Sequence, residues 1–138
     1  MQHIVVGVTE TETSQMAARR ALEVAHAAGG TVHFVTAIRN AENEIVRVAG
    51  DEWELNTVEE ARQKVARFVQ TLGLDVNYSV EALEGEPAEV LLDAARRLNA
   101  DLIVVGNVRM QGIGRVLGSV GAEVLRQAPC DVLIVKTV

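Results

Sequence analysis

The residues best suited to chemistry lie in one stretch, Asp101-Leu-Ile-Val-Val-Gly106-Asn-Val-Arg-Met-Gln-Gly112-Ile-Gly114-Arg-Val-Leu-Gly118-Ser119. An apolar run ends in Gly106, a Gly-rich loop follows, and Gly118-Ser119 opens a segment of helical spacing. That order suits the holding of phosphate. Glycines let the backbone approach an anion, their N–H groups point at it, and a helix N-terminus adds partial positive charge. Arg109 and Arg115 could neutralise phosphate through directed hydrogen bonds. Each of these residues also has a plainer reading. Gly112 and Gly114 can simply turn a surface loop, Ser119 can cap a helix, and the arginines can be solvated.

The surrounding segments decide how such a loop would be held. His3 to Val8 is a compact apolar run, the pattern of a strand buried on both faces. Thr9 to Ser14 is polar, with Thr and Ser residues suited to a helix N-cap. Ala17, Ala21, Leu22, Ala25 and Ala28 recur at helical spacing, and Gly29-Gly30 closes that helix. Thr31 to Ile38 reads as a second strand. Arg39 to Leu55, polar and charged around the single Trp53, is expected to be a long loop over one end of the sheet. Val58, Ala61, Val65, Phe68, Val69 and Leu72 mark a helix stopped at Gly73. Val76, Tyr78, Val80 and Ala82 alternate with polar residues, as in a strand at a sheet edge. Pro87 suits the first turn of a third helix with Leu91, Ala94, Ala95 and Leu98 on its buried stripe. Leu102–Val105, Ser119–Gln127 and Val132–Val135 complete a βαβαβαβαβ order.

Such alternation demands an α/β fold, a mostly parallel five-stranded sheet with helices on both faces and right-handed crossovers. If the third strand is an edge, the strand order is 3-2-1-4-5. The order then reverses between strands one and four, and ligands sit beyond the strand carboxyl ends at such a reversal. The loops Thr9–Ser14 and Gly106–Ser119 leave from that point.

Composition excludes several other classes. With 138 residues the chain suits a single domain, 1–138, able to bury roughly two-thirds of its unfolded surface. No apolar run approaches the ~20 residues that span a bilayer, and the start lacks the charged-then-apolar build of a signal peptide. A soluble, cytoplasmic protein without membrane partners is expected. A formal net charge of −6 argues against nucleic-acid binding and requires an anionic ligand to be held locally. His3, His26 and His33 have no metal-ligand spacing with each other or with the single Cys130, which reads as a buried structural thiol. The acidic residues at 51, 52, 54, 59 and 60 read as a solvated loop and helix start. No Ser-His-Asp arrangement can be argued from the chain. A flavodoxin-type loop after strand one would need glycine in Thr9–Ser14, and a receiver domain would need an acidic pair at Gly7-Val8-Thr9; neither is present.

Taken together, Ile4–Val8, Gly85-Glu-Pro87, Ala100-Asp-Leu-Ile-Val-Val-Gly106, Gly118-Ser119-Val120 and Ala128-Pro-Cys-Asp-Val-Leu-Ile-Val135 resemble the universal stress protein (UspA-like) family over about Ile4 to Lys136. The resemblance implies a Rossmann-like three-layer sandwich of the adenine nucleotide alpha hydrolase-like type, usually dimeric. It implies an adenine nucleotide, ATP (with Mg2+) or cyclic AMP, and a role in stress response. The family's motif is Gly, two residues, Gly, nine residues, then Gly with Ser or Thr. Gly106 and Gly118-Ser119 match its ends, Arg109 replaces the second glycine, and the loop is one residue short. Thr9 stands where the ATP-binding branch carries an aspartate. By the same carry-over Val8, Thr9 and the Ala37 backbone would face the nucleoside. Gly106, Asn107, Arg109, Gly118, Ser119 and Val120 would line the ribose and phosphates.

The last strand, Val132–Val135, is apolar yet falls at a sheet edge, where an uncovered strand invites pairing. The resemblance implies that it pairs in a homodimer. The expected function is therefore a nucleotide-binding regulatory protein without efficient catalysis, at most a slow ATP hydrolase, since no base or metal-binding carboxylates flank the loop. The alternative is a dimeric interaction module of the same family that has lost its ligand.

Overall fold

The computed structural model describes residues 2–8, 12–38, 44–48, 51–55, 57–73, 75–106 and 119–136. Its centre is made by the two most apolar runs, β1 (His3–Gly7) and β6 (Leu102–Gly106), which lie side by side with Ile4 paired to Leu102 and Val6 to Val104. β-Branched residues fill both strands, a composition that suits a pleated strand packed on both faces. Ile4, Val5, Val6, Ile103 and Val104 are accordingly inaccessible to solvent.

β2 (Thr31–Ile38) pairs parallel to β1, and β5 (Asn77–Glu84) pairs parallel to β2. On the other side β7 (Asp131–Val135) pairs parallel to β6. The sheet order is β5-β2-β1-β6-β7. Counting only the strands of this sheet along the chain, that is the expected 3-2-1-4-5 order.

α1 (Glu12–Ala28) and α2 (Thr57–Gln70) cover one face, burying Ala17, Ala21, Val65 and Val69 against Ile4, Val6 and Phe34. α3 (Pro87–Arg97) and α4 (Ser119–Gln127) cover the other, with Leu91, Ala95 and Val124 against Val5, Val35 and Ile103. Phe34 is the largest fully buried side chain among the described residues and meets the Tyr78 ring edge-on, the centroids 6.1 Å apart. Tyr78 itself is exposed although the alternation groups it with Val80 and Ala82, because β5 lies at the sheet edge.

One expectation about the elements is corrected. The segment 39–55, read as a long loop, contains an antiparallel hairpin of β3 (Glu44–Val48) and β4 (Asp51–Leu55) that forms its own two-stranded sheet. Val46 pairs with Trp53 in its register. The β-branched and aromatic residues of Ile45-Val46, Val48 and Trp53 favour strands, and the charged residues among them obscured this. α1 begins at Glu12, and Thr9 and Thr11, the cap candidates that precede it, lie outside the described residues.

The third helix starts as expected, with Pro87 in its first turn. Gly85 just before it has φ 147°, a conformation open to glycine, and its N–H donates to the Ile38 carbonyl at 2.9 Å. That bond ties the end of β5 to the end of β2.

Candidate functional site

The strand order reverses between β1 and β6: the chain leaves β1 toward β2 and later returns to the other side at β6. Beyond the carboxyl ends of two such strands a crevice opens, because their connections leave toward opposite sides. Gly7-Val8 and Gly106 stand at these ends. Val8 is buried and its N–H donates to the Val35 carbonyl at 2.9 Å, which extends the ladder one residue past the strand. A Cβ on Gly7 would lie 3.0 and 3.1 Å from the two Leu91 methyls. The missing side chain therefore lets α3 close on the strand exit.

From Gly106 the chain leads to Ser119, the first residue of α4. α4 returns antiparallel to the strands, so its N-terminus is at the same end as Gly106. Ser119 is exposed and Val120 half-buried, packed on the α3 side of the sheet. The first turn of α4 carries no acidic residue, whereas those of α2 and α3 hold Glu59, Glu60 and Glu89. The positive end of the α4 dipole is thus uncompensated by its own side chains, which suits an anion.

Ala37 lies on β2 next to β1, two residues past Val35. Beside it is a concave site of about 440 Å³. Thr36, Ala37 and Ile38 of β2 face Thr57, Glu60 and Lys64 of α2 across it. Thr57 Oγ1 is buried with no hydrogen-bond partner among the described residues. A buried hydroxyl of this kind is costly unless something accepts or donates to it. This polar atom on α2 was not singled out by spacing, because a threonine at a helix start reads as a cap.

The structure thus gathers Val8, Ala37 and Gly106 at one end of three neighbouring strands, with Ser119 and Val120 opening the helix at that end. Thr9, Asn107, Arg109 and Gly118 lie outside the described residues, as do Gly112, Gly114 and Arg115. No group of three or more His, Cys, Asp or Glu that could hold a metal ion occurs among the described residues. Cys130 is half-buried rather than buried; desolvation, with Asp131 and Asp101 nearby, pushes its thiol above the usual range.

The profile of the universal stress protein family matches residues 1–136. The chain belongs to this family. It is 31% identical to universal stress protein MJ0531 of Methanocaldococcus jannaschii, over 96% of this chain and 81% of that one. It is 30% identical to universal stress protein A homolog 1 of Coxiella burnetii, over 97% and 95% of the two chains. A crystal structure of a universal stress protein in complex with cAMP superposes with a TM-score of 0.72 at 30% identity, covering 99% of this chain and 98% of that one. The fold of this universal stress protein is therefore the expected Rossmann-like sandwich. No helix of its described residues is long and apolar enough to cross a membrane.

Sequence spacing missed a second constellation, at the opposite end of the sheet. His3 Nδ1 lies 3.0 Å from His33 Nε2, and His33 Nδ1 lies 2.7 Å from Ser79 Oγ. The available signal was a histidine in each of two strands expected to be buried, which is unusual for a titratable side chain.

Proposed function

We propose that this universal stress protein is a cytoplasmic regulatory protein of the stress response that binds an adenine nucleotide, ATP or cyclic AMP, through the Gly106–Ser119 loop. The observation that carries the reading is the reversal between β1 and β6, with Gly106 at one strand end and an uncompensated helix N-terminus at Ser119. The cAMP complex of a similar protein with the same fold supports the choice of ligand class. In this reading Asn107, Gly118, Ser119 and Val120 meet the ribose and phosphates, largely through backbone donors. Val8, Thr9 and the Ala37 backbone meet the nucleoside, and the concavity between Ala37 and α2 receives its outer edge. Arg109 supplies charge to the phosphates, and Mg2+ accompanies ATP through the phosphates themselves. The protein binds without efficient turnover.

The same reading makes the protein a symmetric homodimer. Val132, Leu133 and Ile134 of β7 are only half-buried in the single chain, on a strand paired on one side. Covering that apolar edge with a second copy removes a pairing hazard. Sedimentation at micromolar concentration is expected to give a dimer, and a monomer would count against the assignment.

Arg109 in place of the motif's second glycine, with a loop one residue short, favours a second reading in which the protein is a nucleotide-independent dimeric interaction module. Calorimetric titration with ATP and with cyclic AMP, each with and without Mg2+, separates the two. Saturable micromolar binding is expected. Absence of heat together with failure to displace a fluorescent adenine nucleotide would transfer the assignment to the interaction module.

A further inference from the structure

A row of polar side chains crosses the sheet at the amino-terminal ends of its strands. It runs from His3 on β1 through His33 on β2 to Ser79 on edge strand β5. In the parallel register His33 is opposite Val5 on one side and Ser79 on the other. His33 is 8% exposed, so its two ring nitrogens must find partners within the protein. The charged or titratable groups that face it come from three elements: His3 of β1, Glu81 of β5 and Arg97 of α3. Glu81 and Arg97 are bound to each other through two hydrogen bonds of 3.1 and 2.5 Å. Beyond His3, the Asp101 carboxylate accepts the backbone N–H groups of Gln2 and His3 at 2.7 and 3.1 Å.

The proton count in this row is restrictive. Each contact between two ring nitrogens holds one proton, because one nitrogen must donate and the other accept. With both rings neutral the row can run either way. Ser79 donates to His33, which donates to His3, or His3 donates to His33, which donates to Ser79. A first added proton fits without breaking a bond: His3 becomes doubly protonated, its Nδ1–H donates to His33 Nε2, and His33 Nδ1–H donates to Ser79 Oγ. The charge then lies on the ring nearer the Asp101 carboxylate. A second added proton must go to His33 Nε2, which sets two N–H donors against each other at the 3.0 Å contact.

We propose that His3, His33 and Ser79 form an acid-sensitive clasp across β1, β2 and β5, which accepts one added proton and opens when both imidazoles are charged. Opening parts the two imidazoles and so loosens β1 from β2 at their amino-terminal ends, while the His33 Nδ1–H still donates to Ser79 Oγ and holds β5 to β2. Burial of His33, reinforced by the neighbouring His3, holds its imidazole below the ordinary value, with Glu81 opposing and Arg97 adding slightly. The second proton is therefore delayed to more acid solution. The clasp does not rest on the nucleotide reading, since it lies at the other end of the sheet.

The test is imidazole NMR titration of the intact protein together with amide hydrogen exchange, from about pH 8 to about pH 4.5. Two separated imidazole steps belonging to the coupled pair are expected. Protection of the amides at the paired starts of β1 and β2, residues 3 to 5 and 31 to 33, corrected for intrinsic exchange, should fall at least tenfold with the second step while β5 from 80 to 83 stays protected. In His3→Gln the amide oxygen can accept from charged His33, so this acid loss should vanish. In Ser79→Ala the loss should persist, because the contact that breaks lies between His3 and His33. An unchanged protection of β1 and β2 in the wild type, a loss shared equally by β5, or the same loss in His3→Gln would overturn the clasp.

Discussion

The two ends of the central sheet are built from different materials. At the carboxyl ends, Gly7, Val8, Ala37 and Gly106 offer backbone groups and small side chains, and Gly7 allows Leu91 to pack within 3.0 Å of where a Cβ would stand. At the amino ends, His3, His33, Ser79 and Asp101 hold neighbouring strands together through side chains. Backbone donors keep their character at every accessible pH, whereas imidazoles and carboxylates do not. One sheet thus carries a pH-indifferent end suited to an anion and a proton-sensitive end suited to strand cohesion. Each end can be perturbed without the other, because the apolar layers around Val5, Val6, Ile103 and Val104 separate them.

The largest effect on nucleotide affinity is expected at the carboxyl end. Gly118→Trp should reduce nucleotide affinity at least a hundredfold in calorimetry, roughly 2.7 kcal/mol, while leaving the melting temperature unchanged. Unaltered affinity would remove the loop from the site. Removing the separating core should harm both ends: Phe34→Ala should cost about 3–5 kcal/mol in urea unfolding. A smaller loss would mean that Tyr78 and α1 collapse into the gap. Gly7→Val crowds Leu91 and should cost about 1–3 kcal/mol, with nucleotide affinity falling in step because the strand exit moves.

At the amino end the expected effects are smaller and depend on pH. The His33 imidazole is held below its ordinary value of 6.5 by burial first and by His3 next. Below pH 6.5 the unfolded chain therefore takes up the proton more readily than the folded one. Stability present above that pH should decline as pH falls from 6.5 toward the lower folded value, then level off. The urea midpoint should show this decline, and His33→Phe should abolish it. Asp101, lowered from 3.8 by the backbone N–H groups of His3 and then Gln2, adds stability above that value that is lost as pH falls below it. The two windows should appear as separate steps. The smallest effect belongs to Arg97→Gln. Its guanidinium is half-exposed and exposed pairs contribute little, so a loss under about 1 kcal/mol is expected.

Much of the fold was legible because the relevant signals are local. Val76, Tyr78, Val80 and Ala82 announced an edge strand by alternation, and β5 is one. Pro87 announced the start of α3, and Gly29 and Gly73, both at positive φ, announced helix stops. The hairpin of β3 and β4 was obscured by its charges, although the β-branched Ile45, Val46 and Val48 were a usable strand signal. The site was legible where it depends on backbone: a strand ending in Gly106 and a helix opening at Ser119. The concavity between Ala37 and α2, with a Thr57 hydroxyl that has no partner among the described residues, was not.

The sequence by itself determined the strands and helices of the five-stranded sheet, which of those strands are buried on both faces, and that the Gly-rich loop leaves from the point where the strand order reverses. Those features follow from periodicity and turn chemistry, which act over a few residues. Only the tertiary structure decided that His33 lies opposite Val5 and Ser79, and that His3 reaches it diagonally. Strand register is a property of segments 30 and 46 residues apart. No local pattern can encode it when both faces of the strands are buried, because a shift along the strand exposes no apolar face to betray the error. The anion-suited end could thus be read along the chain, while the proton-sensitive end existed only once the strands were aligned.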